Sequence, residues 1–231
     1  MRGGRGASPF GLGGRGATSE AGRPFSPKPC CPALLAIVLL AFLTTALAQS
    51  WQTTRAPGFV LQTASAEDAR HLSEVFGILQ RTRRDLIVAG YHPPALVRVV
   101  VHPNLKSYTT ATRLPWFVLS AANRIKNQID SQRLRVLLER KSLERTLRHE
   151  LFHLAQPEGW PRWKAEGMAM RFAGDQPSAR PLENISEAEL ERLLTNPPNQ
   201  ETLNRAMATA FLWVGRLQTS NRGSEVEGSR P

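Results

Sequence analysis

Cysteine is almost missing from this chain. The only two, Cys30 and Cys31, sit within the first 48 residues. The remainder therefore has no disulfide framework and no thiolate-ligated metal site, and its fold must rest on packing. Tyrosine is nearly as scarce, with Tyr91 and Tyr108 alone, and aromatic residues make up only 7% of the sequence. No Gly-rich phosphate loop, internal repeat or nucleic-acid motif occurs, which removes nucleotide-binding and repeat architectures from consideration. With 41% hydrophobic and 21% charged residues over 231 positions, the composition is that of one ordinary globular domain.

Residues 1–27 are rich in Gly, Arg, Ser and Pro, too poor in apolar surface to offset chain entropy, and are expected to be disordered. From Lys28 a basic flank leads into Ala33 to Ala48 (ALLAIVLLAFLTTALA), a charge-free stretch ending in Ala46-Leu47-Ala48. That order matches a secretory signal over 28–48, with cleavage after Ala48 and delivery outside the cytoplasm, to a periplasm, cell surface or medium. The alternative is an uncleaved single-pass anchor, for which sixteen residues are short against the ~20 needed to span a bilayer. The net charge of +11 falls to +7 for the chain beyond Ala48. A globular domain is expected over 49–218, with a loose polar tail over 219–231.

Gly58 to Thr63 alternates weakly and suggests a strand. Ser65 opens a helix that runs on to Leu86 with Ala69, Leu72, Val75, Phe76 and Leu79 on one face and Asp68 as the capping-box partner. The β-branched run Leu96 to His102 follows as the clearest strand. Trp116 to Glu139 suggests two further extended segments around Asp130-Ser131, an antiparallel pair. Helices are expected at roughly 142–155, 161–173, 186–195 and 200–218. Sheet elements first and helices second make an α+β domain: a small antiparallel or mixed sheet packed against helices.

His149-Glu150-Leu151-Phe152-His153 is an H-E-x-x-H pattern inside one of those helices. At ~100° per residue the two histidines lie one turn apart on one face and can address the same cation, with Glu150 beside them. Leu143, Leu147, Leu151 and Leu154 form a separate stripe for the core. Catalytic zinc commonly takes a third protein ligand, and Glu166, Glu158 and Asp175 all follow within reach in sequence. Glu166 is favoured. It sits on a helix opened by Pro161, whereas Glu158 is in the connecting turn and Asp175 lies past the helix stop. Trp163, Glu166, Gly167 and Met170 are expected to share one face, with Gly167 permitting the close approach that carries Glu166 to the metal.

HELFH followed by PRWKAEGMAMRFAG (Pro161 to Gly174) resembles the gluzincin zinc metallopeptidases, in particular small peptidase-MA-like domains with a Trp-x-x-Glu-Gly-x-Ala second helix. The resemblance implies His149, His153 and Glu166 as Zn2+ ligands and Glu150 as general base in hydrolysis of peptide bonds by zinc-activated water. It also implies an edge strand within Trp116 to Gln128 that lines the cleft and accepts an extended peptide or protein substrate. Such families often stabilise the oxyanion with a downstream Tyr or His. This chain has no His after His153 and only the two tyrosines named, so that role is unassigned.

A different class of function stays open. The basic runs Arg81 to Arg84 and Arg133 to Arg148 would suit a catalytically inactive basic extracytoplasmic module that binds anionic polymer, cell wall or a protein partner. Those cations are interspersed with acids and few aromatics, which argues for solvated faces and against specific nucleic-acid binding. Contact with a membrane is expected only if the signal stays uncleaved.

Overall fold

A computed structural model describes residues 50–227, with side chains through Thr219. The expectations for residues 1–48 lie outside the described residues. Five strands form one mixed sheet: β1 (Gln52–Ala56), β2 (Phe59–Thr63), β3 (Val97–Val101), β4 (Ser120–Asn123) and β5 (Gln128–Ser131), in the order β1-β2-β3-β5-β4. The central strands β2, β3 and β5 run parallel, and each edge strand pairs antiparallel to its neighbour. Parallel strands need crossovers, and helices supply them. The expected α+β class is therefore present, with a mixed sheet whose edge strand β4 borders the principal cleft.

Eight helices accompany the sheet among the described residues: α1 (Ala66–Ala69), α2 (Leu72–Val88), α3 (Leu105–Thr112), α4 (Leu134–Glu139), α5 (Leu143–Ala155), α6 (Arg162–Ala173), α7 (Glu187–Thr195) and α8 (Gln200–Glu227). Val75, Ile78, Leu79 and Leu86 of α2 join Leu147 and Leu151 of α5 and the inward residues of β2, β3 and β5 in one core. A second core holds Trp163 of α6, Leu190, Leu193 and Leu194 of α7, and Ala206, Ala210 and Val214 of α8. Helix α6 separates the two, so its residues answer to both.

Four local expectations are corrected. The helix from Ser65 to Leu86 is broken: Ser65 caps α1 by accepting from the Asp68 amide, the chain turns at Arg70 and His71, and α2 begins afresh at Leu72. The Asp68 carboxylate does not return to complete a capping box. It is fully buried and accepts from Arg133 Nε at 2.5 Å and from the Leu134 amide at 3.1 Å. That contact explains the second correction. Arg133 to Glu139, expected to be extended, is helix α4, because a carboxylate from far upstream satisfies its N-terminal amide. The hairpin turn lies at Arg124–Asn127 instead of Asp130-Ser131, set by Asn123 accepting from the Lys126 amide and by Asn127 at φ +47°. Finally, α8 continues past residue 218 to Glu227, where a loose tail was expected. Strand β1 and helix α3 had no expectation at all: β1 is exposed along nearly its whole length and carries no apolar alternation.

Candidate active site

The leucine stripe of α5 fixes how the motif faces. Leu143, Leu147, Leu151 and Leu154 are all buried, which leaves His149 and His153 on the side that opens to the cleft. Pro157 ends α5, Gly159 turns the corner at φ +76°, and Pro161 starts α6, so α6 folds back across α5. The Glu191 carboxylate of α7 accepts from the Arg162 and Trp163 amides at 3.0 and 2.9 Å and satisfies the start of α6.

Three side chains meet as a result. His149 Nε2 and His153 Nε2 stand 2.9 Å apart, and Glu166 Oε2 lies 3.2 Å from the first and 3.3 Å from the second. Among the described residues this is the group of His, Cys, Asp or Glu donors arranged to hold a metal ion. The spacing matches the donor set. Ligand bonds of ~2.0–2.1 Å in a tetrahedron put donor atoms roughly 3.3 Å apart, so these three would hold an ion of zinc's size. Outer contacts hold the donors in that pose. Gln156 Oε1 is 3.0 Å from His153 Nδ1, where it can accept a ring proton and so turn Nε2 toward the other two donors, and Arg162 Nη2 is 3.3 Å from the other carboxylate oxygen of Glu166.

The electrostatics of the ion-free cluster follow from burial and proximity. Burial alone disfavours charge on His153, yet the adjoining Glu166 carboxylate outweighs it and pushes the imidazole up to about 9. Burial would likewise raise Glu166, but both histidines hold it well below the ordinary carboxylate range. Glu150 goes the other way: burial raises it, against the pull of His149, His153 and the Ala122 amide of β4. A carboxylate raised in this manner accepts a proton more readily than an exposed one.

The structure thus brings His149, His153 and Glu166 together with Glu150 beside them, all bordering the cleft. It does not bring in the other two acids. Glu158 is exposed in the corner, and Asp175 is held by Arg145 at 3.1 Å. Neither tyrosine lines the cleft: Tyr91 packs edge-on against Phe152, and Tyr108 is fully buried with its hydroxyl unpaired and its phenol pushed up by burial and the nearby Glu150 and Asp130 charges.

One expectation about the second helix is corrected. Gly167 does not serve the approach of α6 to α5; it faces α8, where a Cβ would lie 2.4 Å from the Ala210 carbonyl oxygen. The expected shared face is split accordingly, with Glu166 toward α5 and Trp163 and Gly167 toward α8. Gln156, Arg162 and Glu191 were not anticipated. The first two had a signal, since Gln156 follows His153 by three residues and Arg162 precedes Glu166 by one turn. Glu191 had none.

The cleft has a volume of about 1310 Å3 and runs between β4 and the α7–α8 side, with Phe117, Leu119, Trp160, Leu194, Leu203 and Met207 among its apolar walls. Ligand pockets for small molecules are typically ~300–1,000 Å3, so this one has room for a longer ligand. The basic runs are mostly occupied elsewhere: Arg133 by Glu67 and Asp68, Arg148 by Asp85, Arg83 by the carbonyls of Gly58, Pro94 and Ala95. Comparison with protein-family models, curated proteins and solved structures gives no match to this chain.

Proposed function

We propose that the chain is an extracytoplasmic zinc-dependent metallopeptidase of gluzincin type, with His149, His153 and Glu166 as metal ligands and Glu150 as general base. The observation that carries this reading is the convergence of three donor atoms at 2.9–3.3 Å beside a second, buried carboxylate, that of Glu150, all lining the cleft. Zinc in such a donor set supplies a Lewis acid that polarises a carbonyl and activates water near neutrality. The remaining work belongs to the chain. Glu150, raised by burial, takes the proton of the attacking water and passes it to the leaving amine. Gln156 and Arg162 keep His153 and Glu166 aimed. Strand β4 is a sheet edge that borders the cleft, so an extended peptide can add to it through main-chain hydrogen bonds while its side chains meet the apolar walls.

Metal analysis of the purified protein, followed by cleavage of a broad peptide library with and without chelator, tests the reading. One bound zinc with chelator-sensitive cleavage supports it. Bound zinc with no cleavage of any peptide would move the assignment to a catalytically inactive descendant, and absence of zinc would favour the basic binding module.

A further inference from the structure

One end of the sheet gathers features that the cleft does not use. The Val97 amide donates to Gly58 O at 3.0 Å and the Arg98 amide to Asn127 O at 2.9 Å, while Arg83 binds the carbonyls of Gly58, Pro94 and Ala95. These bonds bring together the β1–β2 turn, the last turns of α2, the loop entering β3 and the β4–β5 turn. Four large apolar side chains project from this end: Ile125 at 98% exposure, Val88 at 88%, Ile87 at 59% and Leu96 at 55%. Ile125 has no structural duty there. Asn123 and Asn127 set the turn, and tight turns ordinarily carry Gly, Asn or Asp at their tips.

Cations lie on the same elements: Arg84 on α2, Arg98 on β3, Lys126 in the β4–β5 turn, and Arg55 on β1, in the sheet row of Arg98. Arg55, Arg84, Arg98 and Lys126 are exposed, and none takes part in an ion pair among the described residues. Asp85, the acid next to Arg84, is already held by Arg148 at 2.6 Å. A second copy of the chain is a poor occupant, because a two-fold interface would set these unpaired cations against their own images. Projecting aliphatic residues at the same end of the sheet as unpaired Arg and Lys instead match a bilayer, whose anionic headgroups attract the cations and whose acyl boundary receives the aliphatic tips.

We propose that this end, formed by Ile87, Val88, Leu96 and Ile125 with Arg55, Arg84, Arg98 and Lys126, docks on an anionic lipid surface. Arg124 and Lys126 also border the cleft, so docking sets one mouth of the cleft beside the headgroups. The inference does not depend on the metallopeptidase reading.

Hydrogen–deuterium exchange of the full chain with vesicles of phosphatidylcholine, with and without phosphatidylglycerol, tests it. The readout is local, so any contribution from residues 1–48 is separated from docking at this end. Exchange over 84–98 and 123–128 should slow with phosphatidylglycerol vesicles, less so at high salt, and not with phosphatidylcholine alone. In V88D/I125D the lipid concentration for half-protection should rise at least about tenfold, with the melting temperature unchanged because both side chains are almost wholly exposed. Unchanged exchange in these segments with every vesicle, or protection that V88D/I125D retains in full, overturns the proposal. Equal protection in concentrated protein without vesicles also overturns it and assigns the surface to self-association.

Discussion

Gly167 of α6 lies against Ala210 of α8 so closely that a methyl group on it would sit 2.4 Å from the Ala210 carbonyl oxygen and 2.7 Å from Val214 Cγ2. The obstacle is backbone, which cannot rotate aside. Gly167→Ala should therefore destabilise the protein by about 1–3 kcal/mol, lowering the melting temperature by roughly 2–12 °C. Gly77 in the middle of α2 offers the opposite sign. A Cβ there meets only the end of the Arg81 side chain at 3.4 Å, so Gly77→Ala should stabilise by about 0.5–1 kcal/mol. Thermal unfolding of the two variants checks both; equal shifts would contradict the packing described.

Metal retention separates the three candidates for the third ligand. His149→Ala, His153→Ala and Glu166→Ala should each lose most bound zinc, since each removes one of three donors. Glu158→Ala and Asp175→Ala should keep a full equivalent, one being exposed and the other committed to Arg145. Zinc lost from Asp175→Ala but kept by Glu166→Ala would reverse the assignment.

The outer contact of His153 should be visible in affinity alone. Gln156→Leu removes the acceptor at Nδ1 without touching a ligand, and loss of such a partner typically costs ~10–100-fold in metal affinity. Competition with a zinc-binding dye gives the number. An unchanged affinity would mean that packing by itself orients the ring.

Chemistry is separated from metal binding by Glu150→Gln. The amide keeps the shape but cannot take a proton, so the variant should hold zinc normally and lose about 10²–10⁴-fold in turnover. Peptide cleavage at matched zinc loading is the measurement, and undiminished cleavage would remove Glu150 from the role of base.

Metal binding should also release a proton. In the ion-free cluster His153 is raised to about 9, so at pH 7.5 it carries a proton that a ligating nitrogen must give up. Because the group is protonated below that value, apparent zinc affinity should climb with pH up to about 9, near tenfold per unit, and then level off. Calorimetry in two buffers of different ionisation enthalpy counts the proton directly. Heats that do not depend on the buffer would show that His153 is already neutral.

Whatever depends on neighbours within a turn or two can be read from the order of residues. The four-residue spacing of His149 and His153 and the leucine stripe well over a quarter-turn away orient α5 in any helix with this pattern, and Pro161 with the apolar residues after it predicts α6. Glu166 was legible for the same reason: it lies on the next helix at a short, turn-broken distance. What depends on distant partners emerges only in the fold. Arg133 to Glu139 has enough β-branched and aliphatic character to suggest a strand, and it is helical because Asp68 caps it from across the fold. The exposed β1 shows no alternation, since an edge strand is held by main-chain bonds to β2 and not by a buried face. Gly167 suggested close packing without naming a partner, and only the placement of Ala210 shows that the tight contact runs to α8. Local periodicity fixes which way a side chain leaves its own element; what it meets there is set by chain segments whose approach no local pattern records.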